Sequence, residues 1–524
     1  VITPSLTPVR PPLPLWLAVV VAACAGALLD LAFPSVSLWI AAPVAIGLLL
    51  VALMGRRAGG ALLVGVVFGL VFYLLLVSWT SRYLGPLPWT ALSALEALLT
   101  GVGLIPVALA YRWLPRASPR PALRVLLVAT AVAALWVGRE LFIGAFPYGG
   151  FPWARVGYTL VDTPAAMLAS WIGVSGLSFV LVFFVAALVE VLRLSWERRS
   201  SFTLRGLVPA LTVPIAALLA LLLVPAFPTT AGGELRVGAV QGNGPTGYFD
   251  AREPLAIIAS QIDASRPLFG EDLDLLVWPE GSVEGDPFQN PTLARMLSRV
   301  VAQADAPLLA NAATAVGDRY FNTSFLWDVS RPAPARDDTQ THAKRHPVPF
   351  GEYVPDRAFF NAIAPDLIGL IQREYTPGTD APVMTLDHTA IGLAICFDVI
   401  YDDVIREGIN GGAELLVFQT NNADFRGTDE NLQQLAIARM RAIETGRTVV
   451  NISTVGTSQV IRADGSTQAA LDADRPGAML EDVELRTGAT AGVVVAPVLE
   501  PILLWGGVLL VLLGWFRARR SSRS

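Results

Sequence analysis

Lysine is all but missing from this chain: of 38 basic residues, 37 are arginine and one, Lys344, is lysine. Cysteine and histidine are nearly as scarce, with two cysteines, Cys24 and Cys396, and three histidines, His342, His346 and His388. Two cysteines build neither a disulfide framework nor a multi-cysteine zinc site. Three histidines leave little material for histidine-based metal or triad chemistry, and the sequence implies no metal and no cofactor. Charge is thin as well. Charged residues are 15% of the 524, with a mean hydropathy of +0.54, whereas ordinary soluble domains are about 25% charged. A purely soluble enzyme is thereby excluded. Neither a Walker-A string nor a full G-x-S-x-G elbow is found, GVSG at 173–176 being incomplete and inside an apolar run.

What is present is unevenly spread. Residues 1–232 with 491–524 carry a net charge of +11, and residues 233–490 carry −16. The basic parts hold apolar runs at 14–32, 36–54, 60–79, 88–111, 121–137, 165–192, 207–227 and 493–516, each near the ~20 residues that span a bilayer as helix. Eight transmembrane helices are predicted, the fifth being the shortest. With the N-terminus inside, 15 arginines flank the cytoplasmic ends, among them Arg10, Arg56, Arg57, Arg198, Arg199 and Arg523, against Arg82, Arg139 and Arg155 on the other side. This orientation puts both termini in the cytoplasm and the acidic segment outside it. Such a segment repels nucleic-acid phosphate, so nucleic-acid binding is disfavoured. The expected domains are 1–232 (seven spans), 233–490 (an extracytoplasmic domain) and 491–524 (the eighth span and a basic tail).

The acidic segment alternates short β-rich runs, at 235–241, 274–280, 307–313, 324–329, 390–396, 414–420, 448–453 and 458–465, with helical patterns at 252–265, 290–304, 399–409 and 429–445. This is an α/β domain, and several strands are apolar on both faces, as in a sheet covered on both sides. Three strings in it carry chemistry. LLVWPEGS ends a buried strand with Glu280, AKRHPVPFGEYVP puts Lys344 in a loop, and GLAICFDVIYDD ends a strand with Cys396 just before a helix. A helix N-terminus and a nearby cation lower a thiol pKa, a facing glutamate can take the thiol proton, and a held lysine can stabilise an oxyanion. Each residue alone has a plainer reading. Cys396 can simply pack, Glu280 can cap a helix or face solvent, and the lone lysine can reflect codon bias. The same bias argues for Lys344, because lysine kept where arginine serves everywhere else marks a place that a broad planar guanidinium does not fit.

Together the three strings resemble the nitrilase superfamily, with its Glu-Lys-Cys triad. With membrane flanks on both sides, nearly the whole chain resembles the apolipoprotein N-acyltransferase family. The matching motifs are VQGN at 240–243, WPE at 278–280, KRHPVPFGEYVP at 344–355, ICFD at 395–398, TNNADF at 420–425, QQLAIARMRAIETGR at 433–447 and, in the membrane part, GGFPWARVGY at 149–158. NNADF and ARMRAIETGR look actinobacterial in wording.

The resemblance implies a polytopic membrane domain carrying an extracytoplasmic nitrilase-like αββα sandwich in a bacterial cell membrane. It implies Glu280 as general base, Lys344 as oxyanion-stabilising cation and Cys396 as nucleophile. Glu352 would orient the lysine, and the Phe397 backbone N–H would complete the oxyanion hole. Phe397 and Asp398 stand where the commoner pattern has tyrosine and glutamate, and Asp424 where tryptophan is frequent. The implied reaction takes an acyl chain from a membrane phospholipid onto Cys396 as a thioester. The chain then passes to the α-amine of a diacylglyceryl-cysteine at an apolipoprotein N-terminus, with the enzyme working as a monomer. Phe350, Tyr353, Asn421 and Asp424 are the expected substrate and lid residues, and Phe359 and Phe360 either cover the site or pack within their loop. Two rivals remain. One is a membrane-tethered amidase or nitrile hydrolase with the same triad. The other is a transporter or scaffold using Asp30, Glu96, Arg139 and Glu140.

Overall fold

The structure, a computed structural model, describes residues 11–116, 120–197, 204–328 and 335–521. Arg10, Arg198, Arg199 and Arg523, and the end of the strand expected over 324–329, lie outside the described residues. The chain divides into two compact units, Val1–Ser81 with Gly85–Pro225 and Val494–Ser524, and Arg82–Leu84 with Ala226–Val493.

In the first unit, runs of alanine, leucine, valine and glycine with no polar face form helices at Leu15–Asp30, Ala41–Leu53, Ala58–Leu76, Pro86–Trp113, Pro121–Ile143, Ala169–Glu197, Leu204–Leu223 and Ala491–Ser521. Among the described residues, five apolar stretches are long enough to cross a membrane: Ala58–Leu76, Pro86–Arg116, Pro121–Ile143, Pro164–Glu197 and Ala491–Arg517. The helices Leu15–Asp30 and Ala41–Leu53 and the stretch Val208–Leu223 are shorter. The fifth run, expected to be the shortest, is instead among the long ones, because its helix continues through Arg139 and Glu140 to Ile143. Small residues let neighbours approach closely: a Cβ on Gly65 would lie 2.8 Å from the Gly101 Cα, the small-residue contact that membrane helices use in place of a hydrophobic drive. The charges in this unit largely serve one another. Arg139 lies 3.6 Å from Glu140 and donates to Thr100 at 3.2 Å, and Trp136 donates to Glu140 at 2.8 Å.

The second unit holds two six-stranded sheets. Its strands are β1 (Thr230–Gln241), β2 (Leu275–Val277), β3 (Leu308–Val316), β4 (Arg319–Trp327), β5 (Thr341–Ala343), β6 (Val383–Leu386), β7 (Thr389–Ile395), β8 (Leu415–Thr420), β9 (Val449–Ser453), β10 (Ser458–Ile461), β11 (Thr467–Leu471) and β12 (Gly477–Thr487). One sheet runs β12-β1-β2-β3-β4-β5 and the other β11-β10-β9-β8-β7-β6. Both have parallel centres, β1-β2-β3 and β7-β8-β9, flanked by antiparallel strands. Val237, Leu275, Val277 and Leu309 of the first sheet pack against Leu393, Leu415, Val417 and Val450 of the second. The helices Ala256–Ser265 and Pro291–Ala304 cover the outer face of the first sheet through Ile258, Leu293, Leu297 and Val301. Helices Asp402–Asn410 and Glu430–Thr445 lie on the second. The order is αββα, with parallel strands buried on both faces as their near-continuous apolar runs require.

Four strands escape the sequence reading: β5, β6, β11 and β12. Three local expectations also shift. The strand before Glu280 ends at Val277, the turn from Cys396 to Ile400 is 3-10, and the helix expected from 399 begins at Asp402.

Candidate active site

Three strand ends deliver the three expected residues to one place. Glu280 lies in the turn after β2, where Gly281 takes a φ of +64° and donates its N–H to Asn311 at 2.8 Å. Lys344 follows β5, its N–H donating to the Asn322 carbonyl at 2.8 Å. Cys396 follows β7 directly, with a φ of +50°, a left-handed conformation rare and strained for a residue with a side chain, and found preferentially at functional sites.

Lys344 Nζ sits 2.8 Å from Glu352 Oε2 and 3.3 Å from Glu280 Oε1. Lys344 is 2% exposed and Glu280 7%, so both charges depend on each other rather than on water. Asn322 donates to both carboxylates, to Glu280 Oε1 at 2.7 Å and to Glu352 Oε1 at 3.0 Å. Asn322 is oriented in turn by Asn311, which donates to its Oδ1 at 2.9 Å. Glu352 Oε2 also accepts the Val348 N–H at 2.8 Å, tying the lysine's partner to its own loop. Below the cluster, Ser324 of one sheet donates to Gln419 of the other at 2.5 Å, and Gln419 donates to the Trp278 carbonyl at 2.6 Å.

Cys396 is half-buried. Glu280 and the Asn421 backbone both act electrostatically on its thiol. Gln434 Nε2 approaches the sulfur to 3.7 Å. Desolvation, then the Glu280 carboxylate, push the thiol well above its ordinary range, and Lys344 pulls only partly the other way. The sequence pointed to a thiol acidified by a helix N-terminus. The helix starts too far along the chain for that, and the resting sulfur keeps its proton. Glu280 is likewise raised, by burial first and by Glu352, against the pull of Lys344 and Asn322. Burial works against the Lys344 charge, but Glu280 and Glu352 outweigh it and hold the ammonium well above its usual range.

Asp398 is fully buried and accepts the backbone N–H groups of His346 at 2.8 Å and Arg345 at 3.1 Å. The turn after the cysteine thus fastens the turn after the lysine. Phe397 is buried with its ring edge-on to Tyr401 at 5.4 Å. The expected lid residues divide. Phe350 packs edge-on against Phe360 at 4.8 Å over Val354, Ile368 and Ile371, and Phe359 stays 60% exposed. The backbone of Tyr353 pairs with that of Phe350 at 2.8 Å. Asn421 and Asp424 are anchors by their side chains: Asn421 Oδ1 accepts from Thr454 at 2.7 Å, and Asp424 Oδ1 accepts the Tyr248 N–H at 2.7 Å.

Sequence reading missed Asn311, Asn322, Asn422, Glu430 and Gln434. Asn422 and Gln434 lie inside the TNNADF and QQLAIARM strings, but nothing local marks Asn322 or Glu430. Glu430 is buried and accepts from Asn422 at 2.7 Å, and burial pushes its carboxyl up to about 8.

A glutamate, a lysine and a cysteine at adjoining strand ends of an αββα sandwich place the second unit among carbon–nitrogen hydrolase domains, and residues 236–491 match the carbon-nitrogen hydrolase family. Residues 25–187 match the apolipoprotein N-acyltransferase N-terminal domain. The chain is 31% identical to the apolipoprotein N-acyltransferase of Mycolicibacterium smegmatis, over 93% of this chain and 83% of that one. It is 30% identical to that of Azotobacter vinelandii over 97% and 96%, and 29% identical to that of Shewanella oneidensis over 97% of both. The chain belongs to the apolipoprotein N-acyltransferase family.

Proposed function

We propose that this chain transfers an acyl group from a membrane phospholipid, through a Cys396 thioester, to the α-amine of the N-terminal diacylglyceryl-cysteine of apolipoproteins. The observation that carries this reading is the contact of one buried ammonium, Lys344, with Glu280 and Glu352 beside Cys396. Glu280 takes the thiol proton as the sulfur attacks the ester carbonyl. Lys344 and the Phe397 backbone N–H stabilise the oxyanion, and the lysophospholipid leaves with the proton from Glu280. The lipoprotein amine then attacks the thioester, Glu280 accepts the amine proton, and the sulfur departs to regain it.

A raised thiol suits this chemistry. The sulfur becomes a nucleophile only as Glu280 removes its proton, so the desolvated site carries no standing thiolate charge between turnovers. The apolar helices of the first unit support a bilayer setting, since both substrates are lipids or lipid-anchored. In this reading residues 1–232 are a membrane domain of seven spans, 233–490 an extracytoplasmic catalytic domain, and 491–524 an eighth span with a cytoplasmic tail, working as a monomer.

Purified protein incubated with phospholipid and a diacylated lipopeptide tests the reaction. N-acylated peptide and lysophospholipid are the expected products, and free fatty acid without acylated peptide would establish a hydrolase instead.

A further inference from the structure

The Cys396 sulfur has a neighbour that the acyl-transfer scheme does not use. Gln434 Nε2 stands 3.7 Å from it, within reach of a hydrogen bond to sulfur, and Gln434 Oε1 accepts from Asn422 Nδ2 at 3.0 Å. Asn422 Nδ2 donates its other hydrogen to Glu430 Oε2 at 2.7 Å. Asn422 Oδ1 accepts the Ser453 hydroxyl at 2.6 Å and the Thr420 hydroxyl at 3.4 Å. Asn422, Glu430, Gln434 and Ser453 are all buried.

The direction of each amide in this chain is forced. Two hydroxyls face Asn422 Oδ1, and the Ser453 hydroxyl accepts the Gly456 N–H at 2.9 Å and the Val455 N–H at 3.4 Å, which occupies both of its lone pairs and leaves its proton for Asn422. Asn422 therefore presents its NH2 to Glu430 and Gln434. Gln434 must then turn its oxygen to Asn422 and its NH2 to the sulfur. A flipped Gln434 would set two NH2 groups against each other in a buried site, leaving donors without acceptors, which disfavours the flip.

We infer that the Gln434 amide is a further catalytic group that donates to the Cys396 sulfur when it carries negative charge, and that Asn422 and Glu430 are positioning residues that aim it. The sulfur is negative twice in the reaction, as the proton moves to Glu280 and again as the thioester breaks. Gln434 favours both moments without accepting or giving up a proton. No bond beyond those of the acyl transfer forms or breaks. Glu430 gives Asn422 a buried acceptor; burial pushes its carboxyl up to about 8, and once ionised its charge raises the thiol.

The inference rests on Cys396 as the nucleophile, but its test needs no turnover. The full chain is treated with iodoacetamide across a pH series, and alkylation is read by mass spectrometry on the Cys396 peptide, which separates it from Cys24. Gln434→Met, similar in length and without the donor, moves the alkylation midpoint upward by about one pH unit, as loss of a charge-assisted hydrogen bond requires. An unchanged or lowered midpoint overturns the inference. Glu430→Leu and Glu430→Gln both remove the carboxylate whose charge raises the thiol, so they are compared with each other: Glu430→Gln, which retains an acceptor for Asn422, titrates at lower pH than Glu430→Leu. Equal midpoints for these two also overturn the inference, and this pair decides the matter where Gln434→Met does not fold. Failure of the acyl-transfer reading shows elsewhere, as wild-type protein that gains no acyl adduct on Cys396 when mixed with phospholipid.

Discussion

The Lys344 ammonium lies closer to Glu352, at 2.8 Å, than to the proposed base Glu280, at 3.3 Å. Glu352 therefore does two things at once: it holds the lysine, and its charge raises the proton affinity of Glu280. In Glu352→Gln the second effect disappears, and Lys344, relieved of one partner, acts more fully on Glu280. Both changes lower the pKa of the base. The acid limb of kcat/KM, which reports ionisation of the free enzyme's base, should move to lower pH. The plateau should fall by about 100-fold because the lysine is less well placed. An acid limb that stays in place would separate Glu352 from the base.

Asn322 makes the opposite prediction. Its hydrogen bond to Glu280 favours the ionised carboxylate, so Asn322→Ala raises the proton affinity of the base and moves the acid limb to higher pH. The loss of two hydrogen bonds, to buried Glu280 and half-buried Glu352, should also destabilise the fold by about 1–3 kcal/mol. Thermal unfolding and a pH–rate profile on one preparation check both, and the opposite signs for Asn322→Ala and Glu352→Gln make the pair informative together.

Lys344→Arg keeps the charge and should still lose about 100-fold or more in acyl-enzyme formation, the usual cost of one lost oxyanion donor. The side chain is 2% exposed between two carboxylates, and a planar guanidinium has neither the room nor the single-point geometry of the ammonium. Mass spectrometry of the Cys396 peptide after brief exposure to phospholipid gives the rate. Activity near wild type would return the only lysine to an accident of arginine-biased composition.

The legible parts of this molecule are those with a one-dimensional signature. Long apolar runs marked the eight helices of the first unit, although Leu15–Asp30 and Ala41–Leu53 came out shorter than their runs because the chain turns at 31–40 and Met54. The central strands β1, β2, β3, β7, β8 and β9 were visible as apolar stretches. β11 and β12 were not, since their partly exposed faces carry Thr467, Gln468, Glu481, Asp482 and Glu484, which read as loop. Glu280, Lys344 and Cys396 stood out through rarity and through neighbours such as WPE and ICFD. Asn322 and Glu430 could not. Their meaning comes from partners 42 residues away at Glu280 and eight away at Asn422, which only the pairing of β3 with β4 and the packing of the helix Glu430–Thr445 bring together.

Asp398 offers the sharpest test of how the two catalytic turns are joined. It is fully buried, and its two oxygens accept the backbone N–H groups of His346 and Arg345 separately. Burial raises its carboxyl, while Lys344 and these N–H groups favour the charge. Asp398→Asn leaves a single acceptor oxygen and turns an NH2 toward one of the two backbone donors, a buried clash of like groups costing about 1–3 kcal/mol. For a domain of this size that lowers the melting temperature by several degrees, at about 2–4 °C per kcal/mol. Because Arg345 follows Lys344 directly, acyl-enzyme formation should drop as well, by about 10- to 100-fold, while Cys396 stays open to iodoacetamide. Loss of stability with full acylation would show that Asp398 braces the fold alone, and loss of acylation at unchanged stability would show that it serves the lysine alone.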